Sequence, residues 1–387
     1  MINILIGGDV CPNGRNLPYF INGDAGSIFN DLLPEIEKSD LSIVNLECPL
    51  IGESSPIEKN GPVLGAESRC LNAIKKAGID VLNLANNHVM DHGPQGLSNT
   101  LQVCADNQIM TVGAGSCLAE ANKMFIKKSG DTRIGIMAVA EHEFSIAKRT
   151  SWGANPFDLV SMMRMITTHR KYFDYLIILI HGGNEYYPLP SPRLIKDCRF
   201  LVEMGADAVI VQHAHCPGCF EEYRGSFIVY GQGNLVFDKL KPPYNSWNKG
   251  FLVRLSIEGS GKHSMTVIPY EQSIGQIGAR RMIHKAEESF KADIEERSAR
   301  LADSSYIEEQ WLALCRDRKD HYYFSLFPGL LNNRIVKKIN SYIPFIERLY
   351  TRKHLLRLEN MIRCESHREV IETLLEKRRN HRQDLGG

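Results

Sequence analysis

The sequence predicts an α/β protein that ends in a helical appendage, and three observations carry this. Short apolar runs alternate with longer segments of helical pattern from residue 1 to about 240, the arrangement of β-α units around a sheet. Five of the apolar runs end in residues that can bind a metal ion. After about residue 275 glycines and strand-like runs thin out, and charged segments with Leu and Ile at helical spacing continue to the end.

Taken in order, Ile2–Ile6, Leu41–Asn45 and Asp80–Ala85 are the first strands, each a short run rich in Ile, Val and Leu. Arg133–Ala140, Tyr175–Ile180, Ala208–Gln212 and Ser226–Tyr230 continue the series. Gly250–Ile257 and Ser264–Tyr270 read as a closing antiparallel pair, and Ser68–Ala77 and Pro192–Met204 are intervening helices. A domain boundary is therefore expected near 275, with residues 276–387 a separate helical extension. That extension holds 22 Lys+Arg against 17 Asp+Glu, a net of +5, which leaves residues 1–275 at −4. Solvated helix faces account for such a tail, and a docking surface for a protein partner or a membrane surface is the second reading.

Over all 387 residues Lys+Arg 46 balance Asp+Glu 45, so no nucleic-acid partner is expected. A composition of 43% hydrophobic and 24% charged residues suits an ordinary globular core. Met1–Asp9 lacks the basic start and cleavage site of a secretory signal. No run of about 18 uncharged apolar residues suggests a transmembrane segment. Ten Cys show no dense framework spacing, which fits a reducing compartment, so a cytoplasmic location is expected.

The strand ends carry the chemistry. Asp9 follows Ile4-Leu5-Ile6, Glu47 follows Ile43-Val44-Asn45-Leu46, and Asn87 and His88 follow Val81–Ala85. His181 follows Leu176–Ile180, and His213 and His215 follow Val209–Gln212. Ligands bind at the carboxyl edge of open α/β sheets, so these groups should converge although about 200 residues separate them. A single histidine at a strand end is most often a hydrogen-bonded structural group; five such strand ends together are not. Two carboxylates, one carboxamide and three imidazoles suffice for two divalent metal ions such as Mn, Fe or Zn.

In this order, Gly8-Asp9, Asn45-Leu46-Glu47, Asn86-Asn87-His88 with Asp91 and Gly93, His181-Gly182-Gly183 with Glu185, His213-Ala214-His215, and Tyr230-Gly231-Gln232-Gly233-Asn234 with Phe237 resemble the CapA, or poly-γ-glutamate capsule biosynthesis, family. That family belongs to the calcineurin-like metallophosphoesterase superfamily, and the resemblance covers roughly residues 1–240. It implies a four-layer αββα sandwich with the metal centre at the strand ends. It also implies that Asp9 and His215 serve one metal, that Asn87, His181 and His213 serve the other, and that Glu47 bridges them. His88 would then be the catalytic acid, with Asp91 orienting its imidazole; a helix or turn cap is the other reading of Asp91. The sequence departs from the superfamily in two places: Asp9-Val10-Cys11 replaces Asp-x-His, and Glu47 replaces the usual Asp.

Cys11 is open to two readings, a thiolate ligand in the missing position or a buried thiol. Cys216-Pro217-Gly218-Cys219 has redox or zinc spacing but lacks a second Cys pair at zinc-ribbon spacing. Glu141 and Glu143 end another apolar run and are candidate substrate contacts, as are Lys59 in a Gly/Pro-containing loop, Glu185 in a Pro-rich loop with Tyr186 and Tyr187, and Asn234.

The expected activity is a metal-dependent hydrolase in capsule or exopolymer biosynthesis, in which two cations activate water and His88 protonates the leaving group. The substrate would be an anionic small molecule or polymer. One alternative is a phosphomonoesterase or phosphodiesterase acting on a small phosphate ester. Another is a non-catalytic assembly subunit that binds partners through its helical tail.

Overall fold

Strand Ile2–Cys11 is the axis of the larger sheet. On one side Leu41–Leu46, Val81–Asn83 and Met110–Val112 follow in parallel. On the other, Lys249–Ile257, His263–Gln272 and Ala279–Arg281 add as an antiparallel meander. Asn234–Phe237 runs parallel to the carboxyl end of the first strand and completes eight strands. A second sheet of six strands has Thr132–Ala140, Tyr175–His181, Ala208–Gln212 and Ser226–Val229 in parallel at its centre. Antiparallel Phe125–Ser129 and Phe220–Tyr223 form its edges. This computed structural model describes residues 1–258, 262–325, 333–343, 345, 349–363 and 375.

Side chains alternate across a strand, so a strand buried on both faces supplies two cores. In Tyr175–His181, Ile177 and Leu179 enter the core shared with the larger sheet. Leu176, Ile178 and Ile180 enter a second core with Met162 and Ile166 of helix Leu159–His169 and Leu194, Cys198 and Leu201 of helix Pro192–Glu203. On the larger sheet, Phe20, Ile28, Phe29, Ile36 and Ile74 of the short helices between residues 17 and 76 join its core. The result is the four-layer αββα order. Each fully buried side chain of this size contributes roughly 1.5–3 kcal/mol.

Three buried amides tie the sheets together. Asn83 Nδ2 donates to Gln212 Oε1 at 3.2 Å, and Gln212 Nε2 donates to the Gly7 carbonyl at 2.8 Å and to Gln232 Oε1 at 3.1 Å. Gln232 Nε2 donates in turn to the Ile6 carbonyl at 2.8 Å. In a dry interior an unpaired amide costs about 1–3 kcal/mol, so this network fixes how the two carboxyl edges face one another.

The expected boundary near 275 is corrected. The chain divides into compact units at Met1–Glu308 and Glu309–Gly387. Ala279–Arg281 belongs to the larger sheet, and Phe290 and Ile294 of helix His284–Ala299 lie in its core. Charged exposed positions hide these few anchoring residues from a reading by composition. The second unit contains helices Arg334–Tyr342 and Arg352–Arg363, and helix Ser304–Ser325 begins in the first. The helical expectation for residues 364–387 lies outside the described residues, apart from 375. Among the described residues no helix is long and apolar enough to cross a membrane.

Candidate metal centre

The register between Ile2–Cys11 and Leu41–Leu46 shifts between Ile6 and Asp9, an irregularity of the kind that re-aims a side chain. It lies at Gly7-Gly8, where a Cβ on Gly8 would sit 2.0 Å from the Gly233 carbonyl oxygen. Gly233 itself has φ +77, and a Cβ there would lie 2.4 Å from the Lys249 carbonyl oxygen. Only glycine permits this approach, which sets Asp9 opposite both Asn45 and Asn234. Across the cleft His213, His215 and Tyr186 have φ of 99, 53 and 60, a left-handed backbone that costs about 1–3 kcal/mol per residue. The Tyr186 N–H donates to the Ala214 carbonyl at 2.7 Å and pins the two strained segments together.

The expected ligands do converge. Ligand atoms of Glu47, His181 and His213 lie within 4.8 Å of one another, and so do those of Asp9, Glu47 and His215. Glu47 belongs to both groups. His181 Nε2 is 3.0 Å from Asn87 Oδ1 and 3.1 Å from His213 Nδ1. Asn45 Nδ2 donates to Asp9 Oδ1 at 2.7 Å, and Asn86 Nδ2 donates to Asn45 Oδ1 at 3.1 Å, so neighbouring amides hold Asp9 in place. Asn234, expected as a substrate contact, has its Oδ1 2.8 Å from His215 Nδ1, a contact that orients the ring.

Burial dominates the electrostatics. It pushes Asp9 up to about 6 despite the hydrogen bond from Asn45. Burial, and then the nearby charge of Asp9, holds Glu47 well above the usual carboxylate range. Burial, with the neighbouring imidazoles, pushes His181 well down and His215 down to about 3. Both carboxylate oxygens of Glu47 are buried without a hydrogen-bond partner. Buried polar atoms are almost always paired, so this pair of orphaned oxygens calls for an unseen partner. A divalent cation would relieve the carboxylate repulsion and use imidazoles that are already neutral, so the donor set fits one.

Beside this centre, Asp91 Oδ2 accepts from His88 Nδ1 at 2.6 Å and from the Leu64 N–H at 2.7 Å. A carboxylate can only accept, so the proton on this side of the ring is on Nδ1. Lys59 was expected to meet substrate; its side chain is instead 2% exposed and donates to Asp91 Oδ1 at 2.5 Å. Its Nζ is also 3.2 Å from His88 Nδ1. Lys59 therefore neutralises a buried carboxylate.

Glu141 is committed to its surroundings, accepting from the Gly183 N–H at 2.9 Å and from Arg193 at 2.5 Å. It braces the loop after His181. Glu143 is exposed and accepts from Asn87 Nδ2 at 3.3 Å, which keeps it at the mouth of the centre. Glu185 lies with His213 and His215 in a third group of ligand atoms within 4.8 Å. Cys11 is buried with its thiol against Cys48, and that contact and burial push it well up. Cys216 and Cys219 are buried in a turn whose Pro217 and Gly218 carbonyls accept from Arg297, a structural arrangement.

Several site residues escaped the sequence reading. Trp247 packs tilted against His215, ring centroids 4.8 Å apart, and edge-on to Phe237 at 5.1 Å, with Lys239 Nζ 4.0 Å from its ring centroid. Tyr244, 5.2 Å from Tyr186 of the Pro-rich loop already named from the sequence, extends this aromatic wall. The available signal was a lone Trp and Tyr in a polar, Pro-containing stretch after the Asn234 motif, where loop aromatics have no periodic reason to be present.

Comparison with known proteins gives concordant relatives. The chain is 30% identical over 255 residues to the PGA biosynthesis protein CapA of Bacillus subtilis, covering 64% of this chain and 65% of that one. It is 27% identical over 270 residues to the capsule biosynthesis protein CapA of Bacillus anthracis, covering 66% and 64%. The chain thus spans just under two thirds of the length of these relatives. Among solved structures, a phosphatase from Mycoplasma pneumoniae superposes with a TM-score of 0.44 at 15% identity, covering 69% of this chain and 92% of that one. Residues 3–239 match the profile of the bacterial capsule synthesis proteins, PGA_cap, and the chain belongs to that family.

Proposed function

We propose that this protein is a metal-dependent hydrolase that acts on an anionic polymer or its precursor in capsule synthesis, with a pair of divalent cations as cofactor. The observation that carries the reading is Glu47, whose two buried, unpartnered oxygens lie where Asp9, His181, His213 and His215 converge. Asp9, Glu47 and His215 would hold one cation, and Glu47, His181, His213 and Asn87 the other. When bound, such cations lower the pKa of water and stabilise charge developing on a phosphoryl or carbonyl oxygen. Asp91 fixes the His88 proton on Nδ1, which leaves Nε2 to carry the proton handed to a leaving group. Lys59 offsets the Asp91 charge, so the pair adds little net charge beside the ring. Tyr186 and Tyr244, backed by the buried Trp247, offer aromatic surface, and Lys239 one cation, to an anionic chain. The capsule context comes from the family and from the names of its Bacillus relatives.

The test is elemental analysis of protein purified without chelator, beside a His181→Ala, His213→Ala double variant. About two equivalents of Mn, Fe or Zn, lost in the variant, are expected. Hydrolysis of phosphate esters or γ-glutamyl polymers should then fall about 100-fold or more in His88→Ala with metal retained. No metal after reloading refutes the hydrolase and leaves an assembly subunit.

A further inference from the structure

We infer that Glu185 supplies the protein ligand that the chain lacks at the first cation position, so that the centre is built from oxygen and nitrogen donors alone. The inference rests on the proposed metal centre and adds a residue to it. Asp9 and His215, with shared Glu47, give the first position three protein donors, whereas the second has Asn87, His181, His213 and the same Glu47. Cys11 occupies the sequence position of the missing ligand, but among the described residues it belongs to none of the groups whose ligand atoms lie within 4.8 Å of one another.

Glu185 reaches the same place from the other sheet. A carboxylate oxygen of Glu185 lies within 4.8 Å of ring nitrogens of His213 and His215. The placement is built into the backbone, because the Tyr186 N–H bonds the carbonyl of Ala214, the residue between those two histidines. Gly183, two residues before Glu185, is tied through its N–H to Glu141, and Arg193 holds that carboxylate in turn. The two unpartnered oxygens of Glu47, which shares a group of ligand atoms with each of these histidines, independently mark a cation in this cluster. Without a thiolate the donor set is harder than the sequence alone allows, and it suits Mn or Fe as well as Zn.

The experiment is Mn(II) titration of the chelator-stripped full chain, followed by electron paramagnetic resonance, for wild type, Glu185→Gln and Cys11→Ser. Wild type and Cys11→Ser should bind about two equivalents and give a spin-coupled pair. Glu185→Gln should weaken one equivalent at least about 10-fold and show an isolated Mn(II) signal, with its metal-free circular dichroism unchanged. Cadmium-loaded wild type should lack the ultraviolet thiolate-to-cadmium band. Two equivalents with unchanged affinity in Glu185→Gln, or a cadmium band that disappears in Cys11→Ser, overturns the assignment while the metal centre stands. Wild type that binds no metal sinks both.

Discussion

Asp9→Asn offers a direct test of the electrostatics, because it removes one buried charge and keeps the side-chain shape. Asp9 is 1% exposed, and burial raises its pKa from 3.8 to about 6 in the metal-free fold. At 1.36 kcal/mol per unit, the charged carboxylate costs the metal-free fold about 3 kcal/mol. The native state holds the proton more tightly than the unfolded chain, so this cost is absent below about pH 4. It grows as pH rises through the window between 3.8 and about 6, and is constant above it. Asp9→Asn should therefore be more stable than wild type by up to about 3 kcal/mol at pH 8 in chelator, with little difference near pH 4. Urea unfolding at the two pH values measures this, with equal m-values as the check that only stability changed. Adding metal should offset most of that difference. Wild type gains about 2.7 kcal/mol at a hundredfold excess over its dissociation constant, and the variant gains less. An Asp9→Asn protein that is less stable at pH 8 in chelator, or a difference independent of pH, would refute the reasoning.

Two further outcomes follow from the geometry. Lys59→Met leaves Asp91 buried beside His88 without its cation, and should lower turnover about 10- to 100-fold at unchanged metal content; steady-state kinetics with elemental analysis decides it, and undiminished turnover counts against a positioning role. Gly8→Ala places a Cβ 2.0 Å from the Gly233 carbonyl. It should cost about 3 kcal/mol or more in thermal or urea unfolding, because both partners are backbone and cannot move aside cheaply.

Much of this molecule is legible one strand at a time. The apolar runs around Ile43, Leu82, Ile178 and Ile210 are buried on both faces, so each is a continuous hydrophobic stretch that announces itself without knowledge of its neighbours. The residues just beyond them, Asp9, Glu47, Asn87, His181, His213 and His215, were visible for the same reason, since strand ends of a parallel sheet share one edge. Short strands such as Met110–Val112 and Asn234–Phe237 were missed because three or four residues carry too little pattern to count.

What the sequence alone determined was the α/β class, the family and the set of polar strand-end residues that share an edge. Which of the nearby groups point into that edge was decided by tertiary structure. Lys59 and Glu185 are both polar loop residues of equal promise in the sequence, yet one is buried against Asp91 and the other stands beside His213 and His215. Cys11 lies two residues beyond Asp9, where alternation alone would put both on one face; the register shift between Asp9 and Val10 against Asn234–Phe237 breaks that alternation, and Cys11 is buried in the core. Loop paths and side-chain direction depend on contacts between residues far apart in sequence, such as Tyr186 with Ala214 or Gly8 with Gly233. Local pattern holds no record of those contacts, and the packed fold alone supplies them.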